Sequence, residues 1–333
     1  MRFGPVPLKE AEGAILAHAV RIDGIALKKG DLLTAERCRA LAAGGVSQVV
    51  AARLDEGDVS EDEAARLLAA RIAGPNVRGA PAFTGRVNLF AKKAGLVLID
   101  AAAIDRVNAV DESITVATLP PFRTVAESDM VATVKIIPFS TRGDLLKATL
   151  EAAGSGAVAV APFRQLSVAV ASTLLPGLKS SVVAKTVRAL EARLAPTGAK
   201  VVAHETTPHD VGPLAAALER LGREADLVIV FGASAITDRR DVIPAATEAV
   251  GGRIERFGMP VDPGNLLLLA RRGETTIIGA PGCARSPKEN GFDWVLQRVI
   301  AGVPISDADI RAMGVGGLLM EIASRPQPRD PHE

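Results

Sequence analysis

The sequence predicts an α/β protein in which a C-terminal doubly wound parallel-sheet domain follows smaller mixed α+β N-terminal domains. Three observations carry this expectation. From about Gly143 onward, apolar runs alternate regularly with helical periodicities, the pattern of a parallel sheet covered on both faces. The stretch before it holds short β-branched runs broken by Pro and polar turns. Finally, a chain of 333 residues suggests two domains with room for a small third.

Residues 1–75 read as a first α/β segment. A short strand covers 48–54, and Ser60 with Glu63 three residues later forms a capping box. Ala64, Ala65, Leu67, Leu68 and Ile72 then recur at helical spacing until Gly74 and Pro75 end the pattern. Residues 76–145 form a strand-rich mixed segment with runs at 96–99, 114–119 and 130–137, two of them bounded by Pro120-Pro121 and Pro138. In the 146–305 domain the strands fall at 157–161, 167–172, 200–204, 226–231 and 275–278. Helices at 182–194, 211–221, 242–250 and 292–301 separate or follow them, with Gly222, Gly251 and Gly302 at or beyond three of the ends. Residues 306–333 read as a tail, Pro-rich and polar over 324–330.

Composition excludes several functions. The 39 Lys and Arg nearly cancel the 38 Asp and Glu, leaving +1, so charge gives no reason to expect nucleic acid or an anionic membrane as partner. Aromatic residues are 3%, with no Tyr and one Trp, too few for a base-stacking surface. Cys38 and Cys283 lie far apart, which excludes a disulfide framework and a CxxC knuckle. Lys9, Glu10 and Glu12 interrupt any signal-peptide pattern, and no apolar stretch is long enough to span a membrane. The expectation is a soluble, cytoplasmic protein. No GxGxxG follows a strand, and neither a P-loop nor a GxSxG elbow occurs, so generic dehydrogenase and nucleotide-transferase readings lack their fingerprints.

In such sheets ligands bind beyond the carboxyl ends of the strands. After the 226–231 strand, Gly232 permits a sharp turn, Ser234 and Thr237 offer hydroxyls, and Asp241 is placed to cap the next helix. The plain reading makes Asp241 only a cap and Arg239-Arg240 a solvated pair. The 204–210 stretch contains His204, Glu205, His209 and Asp210, but its spacing matches no zinc signature. Asp210 is again a natural cap. Two Asp residues on strand-end loops suit Mg²⁺, an oxygen-ligated ion that takes one or two carboxylates plus phosphate. The 279–288 loop offers Gly279, Pro281 and Gly282 with Arg285, Ser286 and Lys288, donors suited to an anion. Cys283 reads as a small residue in a tight turn, Trp294 as core, and 258–265 as a Pro-stiffened site wall.

Together these motifs resemble the molybdopterin-binding domain shared by molybdopterin adenylyltransferase and molybdopterin molybdenumtransferase. The resemblance rests on the strand ending Phe231-Gly232-Ala233-Ser234, on Asp241 before Val242-Ile243-Pro244, on the 259–264 segment and on the Gly279-Ala280-Pro281-Gly282 turn. It covers roughly residues 165–303, and Asp210 falls where the family carries its other functional Asp. The 8–13, 28–30 and 85–89 segments look like the leading domains of the molybdenumtransferase branch. The whole chain is most similar to a bacterial branch often fused to a molybdenum cofactor nucleotidyltransferase. That second half has no counterpart here. Ala233 replaces the second Gly of the family turn, Ala280 replaces a Leu, and residues 173–181 lack the acidic pair of the molybdenumtransferases.

The resemblance implies a molybdopterin-binding protein of molybdenum cofactor assembly, a transferase inserting molybdate into molybdopterin or its adenylylated form. Asp210 and Asp241 would hold Mg²⁺ with phosphate and serve catalysis, while Lys185, Arg240, Arg285 and Lys288 neutralise its charge. Gly232, Ala233, Ser234, Gly279, Pro281, Gly282 and Ser286 would complete the ligand site. It also implies a homodimer. The alternative is a non-catalytic carrier that hands the cofactor to a molybdoenzyme client.

Overall fold

A computed structural model describes residues 1–22, 24–177 and 180–319, the side chain of Ser180 excepted. The expected Pro-rich stretch at 324–330 lies outside the described residues. The chain divides into two compact units, Met1–Ala161 and a second from Pro162 onward.

In the first unit, Gln48–Arg53 is the middle strand of a small antiparallel sheet between Arg2–Pro7 and Ile15–Leu16. A second antiparallel sheet runs in the order Ile114–Thr118, Met130–Ile136, Arg86–Ala91, Val77–Gly79. The Glu61–Ile72 helix starts where the sequence predicts, with Ser60 Oγ accepting from the Glu63 N–H at 3.4 Å. The second half of the expected capping box does not form, because Arg66 takes the Glu63 carboxylate at 2.6 Å. This helix buries Ala64, Ala65, Leu68 and Ile72 in one core with Val87, Leu89, Ile114 and Ile136. At roughly 25 cal/mol per Å² of apolar area, that burial is what holds helix to sheet. The Gly143–Ala152 helix and Val158–Pro162 strand supply Leu146, Val158 and Val160 to the same core. The first unit therefore runs to Ala161.

The second unit is built on a six-stranded sheet in the order Lys200–Pro208, Ser167–Leu174, Leu227–Phe231, Thr275–Ala280, Leu268–Arg272, Arg253–Phe257. The first four strands are parallel, Leu268–Arg272 runs antiparallel to them, and Arg253–Phe257 pairs antiparallel with Leu268–Arg272. Leu227–Phe231 is buried along its whole length because helices cover both faces. On one face Leu190 of the Ser180–Leu194 helix and Phe292, Val295 and Val299 of the Gly291–Ala301 helix pack over Val170, Ile229 and Ile278. On the other, Leu214, Leu218 and Leu221 of Val211–Glu224 and Ile243 and Ala246 of Val242–Ala249 pack over Ala169, Ala171, Val228 and Val230. The sheet is thus doubly wound. The stretch from 306 is not all tail: Asp307–Ala312 is a helix with Ser306 and Asp309 forming a full capping box, and Ile310 and Met313 join the core.

The antiparallel pair is absent from the sequence expectation. Arg253-Ile254-Glu255-Arg256-Phe257 mixes charged with apolar residues, as an edge strand does, and the turn at Gly273, with φ +54°, folds Leu268–Arg272 back along Thr275–Ala280.

Candidate functional site at the ends of the parallel strands

The parallel strands finish nearly level. Phe231 is in register with both Ser172 and Ala280, and Thr173 is in register with Thr207. Their loops therefore leave the sheet at one end, the position where open α/β sheets bind ligands. The Lys200–Pro208 strand runs past its predicted end at His204, which moves Glu205 out of the loop. His204 Nε2 lies 3.2 Å from Ser172 Oγ, and Glu205 pairs with Arg220 at 2.6 Å. Only His209 and Asp210 remain between this strand and the next helix.

Two of these loops are tied by Thr173, which is only 1% exposed. Its Oγ1 accepts a hydrogen bond from the Ala233 N–H at 2.8 Å and lies 2.8 Å from His209 Nδ1. The backbone N–H of His209 donates in turn to the Leu174 carbonyl at 2.9 Å. Sequence reasoning missed Thr173 and passed over His209. The available signal was a hydroxyl residue near the end of a mostly buried strand, where a polar side chain requires a partner.

Gly232 is required by space. A Cβ there would stand 2.7 Å from the Ser234 carbonyl oxygen and 2.9 Å from Ile243 Cδ1. The Gly232 carbonyl accepts from Arg285 Nη2 at 2.6 Å, and Arg285 Nη1 lies 3.4 Å from Thr186 Oγ1. The same guanidinium sits 5.8 Å from the centroid of the Phe231 ring. Burial pulls the Arg285 pKa below its ordinary value. Arg285 therefore joins the Gly232 turn to the helix that carries exposed Lys185, rather than standing open to an incoming anion. Ser234 is exposed beyond this turn.

Asp241 caps the Val242–Ala249 helix, with Oδ1 accepting from the Val242 N–H at 2.7 Å and Oδ2 from the Thr237 N–H at 3.3 Å. Asp210 caps Val211–Glu224 through the Gly212 N–H at 3.0 Å. Their strands stand two positions apart in the sheet, about 10 Å by ordinary strand spacing. Among the described residues no group of three or more His, Cys, Asp or Glu side chains could hold a metal ion. Arg240 is directed to Asp238 at 2.8 Å, and that pairing holds the Asp238 carboxyl down at about 2.

The loop after Thr275–Ala280 is fixed from beneath. Arg193, 8% exposed at its side chain, pairs with Asp293 at 2.7 Å. Its guanidinium also donates to the carbonyls of Ala284 at 2.8 Å, Lys288 at 3.2 Å and Ser286. Asp293 itself completes a capping box with Asn290. Desolvation raises the Asp293 pKa against the lowering effect of Arg193. Gly279 is buried, and a Cβ on it would meet Ile236 Cδ1 at 2.8 Å, so its role is packing rather than ligand contact. Pro281 is buried as well. The Ser286 hydroxyl accepts from the Lys288 N–H at 3.3 Å. Gly282 and Lys288 are exposed, and no atom lies within 4 Å of where a Gly282 Cβ would be. The Cys283 thiol is pushed up by burial, the opposite of an activated nucleophile. Trp294 packs partly against the core and donates to Glu289 at 3.0 Å.

The doubly wound sheet, with glycine turns and capped helices at its strand ends, defines an α/β domain of the open-sheet class. Residues 167–301 match the family described as a probable molybdopterin binding domain. Residues 5–53 match a domain of unknown function. Among solved structures, the chain is similar to the molybdopterin biosynthesis moea protein from Pyrococcus horikosii, at 15% identity and TM-score 0.32, covering 74% of this chain and 81% of that one. It is also similar to the molybdopterin biosynthesis enzyme MoaB from Thermus thermophilus, at 18% identity and TM-score 0.31, over 42% and 98%. CinA from Thermoplasma acidophilum, of unknown function, matches at 15% identity and TM-score 0.33, over 41% and 98%. No curated protein matches the chain. The domain assignment rests on the family match. No helix among the described residues is long and apolar enough to cross a membrane.

Proposed function

We propose that the second unit binds molybdopterin in the loops at the ends of its parallel strands and inserts molybdate into the adenylylated form during molybdenum cofactor assembly. One observation carries the reading: the family match at 167–301 spans all four parallel strands and the loops that leave their level ends. Exposed Gly282 lets the backbone approach the ligand, while buried Gly232 shapes the turn that presents Ala233 and Ser234. Arg240 is paired with Asp238 and Arg285 with the Gly232 carbonyl, so neutralising phosphate charge falls to exposed Lys185 and Lys288. Asp210 and Asp241 would hold Mg²⁺ together with the ligand's phosphate. That ion, when bound, would polarise the phosphoanhydride. A homodimer and a molybdoenzyme client belong to the same proposal.

Titration of the purified protein with molybdopterin, followed by pterin fluorescence, is expected to saturate. Binding of ATP or NAD without binding of molybdopterin overturns the reading. A second reading, a carrier without catalysis, is favoured by the absence of any acidic residue between Leu175 and Ser181. Incubation with adenylylated molybdopterin, molybdate and Mg²⁺ separates the two. Insertion releases AMP, and Asp241→Asn, which still caps its helix, abolishes that release while leaving binding measurable. A carrier releases none.

A further inference from the structure

The environment of Thr173 fixes the chemistry of His209. Thr173 is buried, and a hydroxyl has a single hydrogen to donate. Its oxygen already accepts from the Ala233 N–H, and its one other hydrogen-bond partner among the described residues is His209 Nδ1 at 2.8 Å. A buried hydroxyl hydrogen needs an acceptor. The Thr173 O–H therefore donates to Nδ1, and the neutral ring carries its proton on Nε2. Nε2 lies across the ring from Thr173 and makes no hydrogen bond or ion pair among the described residues. His209 is half-buried, directly before Asp210, at the end of the strand next to that of Thr173.

Resting on the molybdopterin reading above, we propose that His209 is a ligand-binding residue of the strand-end site, its Nε2–H donating to an acceptor oxygen of the ligand. Thr173 acts through it as a positioning residue, holding the tautomer and, through Ala233, the neighbouring turn. The acceptor is a pterin carbonyl or a phosphate oxygen.

Long-range ¹H–¹⁵N spectra at alkaline pH test the tautomer without any ligand. The expected result is Nε2–H in the wild type and a mixture of tautomers in Thr173→Val, with Thr173→Ser restoring the first. An Nδ1–H wild type overturns the proposal. Adding molybdopterin is expected to move the His209 Nε2 resonance. His209→Phe should weaken binding about tenfold, the effect of one lost hydrogen bond. His209→Gln, which places an amide donor near the Nε2 position, should recover most of it. Equal affinity in His209→Phe and wild type overturns the assignment. Should the Phe variant not fold, the Gln variant and the wild-type resonance decide. Separate additions of inorganic phosphate and of phosphate-free pterin distinguish the two acceptors. If molybdopterin does not bind the wild type, the functional reading falls. The His209 assignment then stands only if pterin or phosphate alone moves its Nε2 resonance, and fails if neither does.

Discussion

The turn after Leu227–Phe231 and the loop after Thr275–Ala280 leave adjacent parallel strands, yet they are held in opposite ways. The first depends on an absence: Gly232 has no Cβ, and one hydroxyl, that of Thr173, receives the Ala233 N–H. The second depends on a presence: the buried Arg193 guanidinium collects three loop carbonyls and the Asp293 carboxylate. A turn defined by missing atoms fails when atoms are added to it. A loop defined by a buried cation keeps its shape whether or not a ligand is present. The contrast also shows why a strand-end Arg is poor evidence for anion binding by itself: Arg193 and Arg285 both direct donors to backbone carbonyls.

Breaking the buried pair should have the largest effect. Arg193→Ala leaves Asp293 buried without its counter-charge and should cost about 3–5 kcal/mol in urea unfolding. Arg193→Lys, which keeps the charge but loses the planar fork, should fall between. A loss below about 1 kcal/mol would mean that the loop does not depend on this cation. Gly232→Ala comes next. Its Cβ meets a backbone carbonyl that cannot move cheaply, so we expect a loss of about 1–3 kcal/mol, with molybdopterin binding weakened more than Arg193→Lys weakens it. The smallest effect is electrostatic. Asp238, held at about 2 chiefly by Arg240, stabilises its turn fully above the ordinary carboxylate range, and the contribution is lost as pH falls through about 2. A carboxyl NMR titration should place the midpoint there, and Arg240→Gln should return it towards the ordinary value.

Much of the second unit was legible because a buried parallel strand shows itself directly in sequence. The run from Leu227 to Phe231 admits little else, and Asp210 and Asp241 mark helix starts through short-range capping, as Ser60 does in the first unit. The antiparallel edge was hidden because Arg253–Phe257 carries charged residues and runs straight into a Pro-rich loop, where strand and loop compositions coincide. The roles of Gly279, Arg285 and Arg193 were not legible for a different reason. Each depends on partners far along the chain: Ile236, Gly232, and the 284–288 carbonyls together with Asp293. Residue type revealed that an Arg was present, and only tertiary geometry showed that its donors were already engaged.

The antiparallel pair also bears on how this unit behaves at high concentration. An outermost strand exposes unpaired amides and carbonyls that a neighbouring molecule can extend into a longer sheet. Arg253–Phe257 carries Arg253 and Arg256 on that rim, and Arg256 reaches Asp307 at 2.8 Å, drawing the Asp307–Ala312 helix towards the strand. Charge on the rim and a helix drawn towards it both act against such stacking, so Arg256→Ala should raise the tendency to aggregate before it lowers the melting temperature.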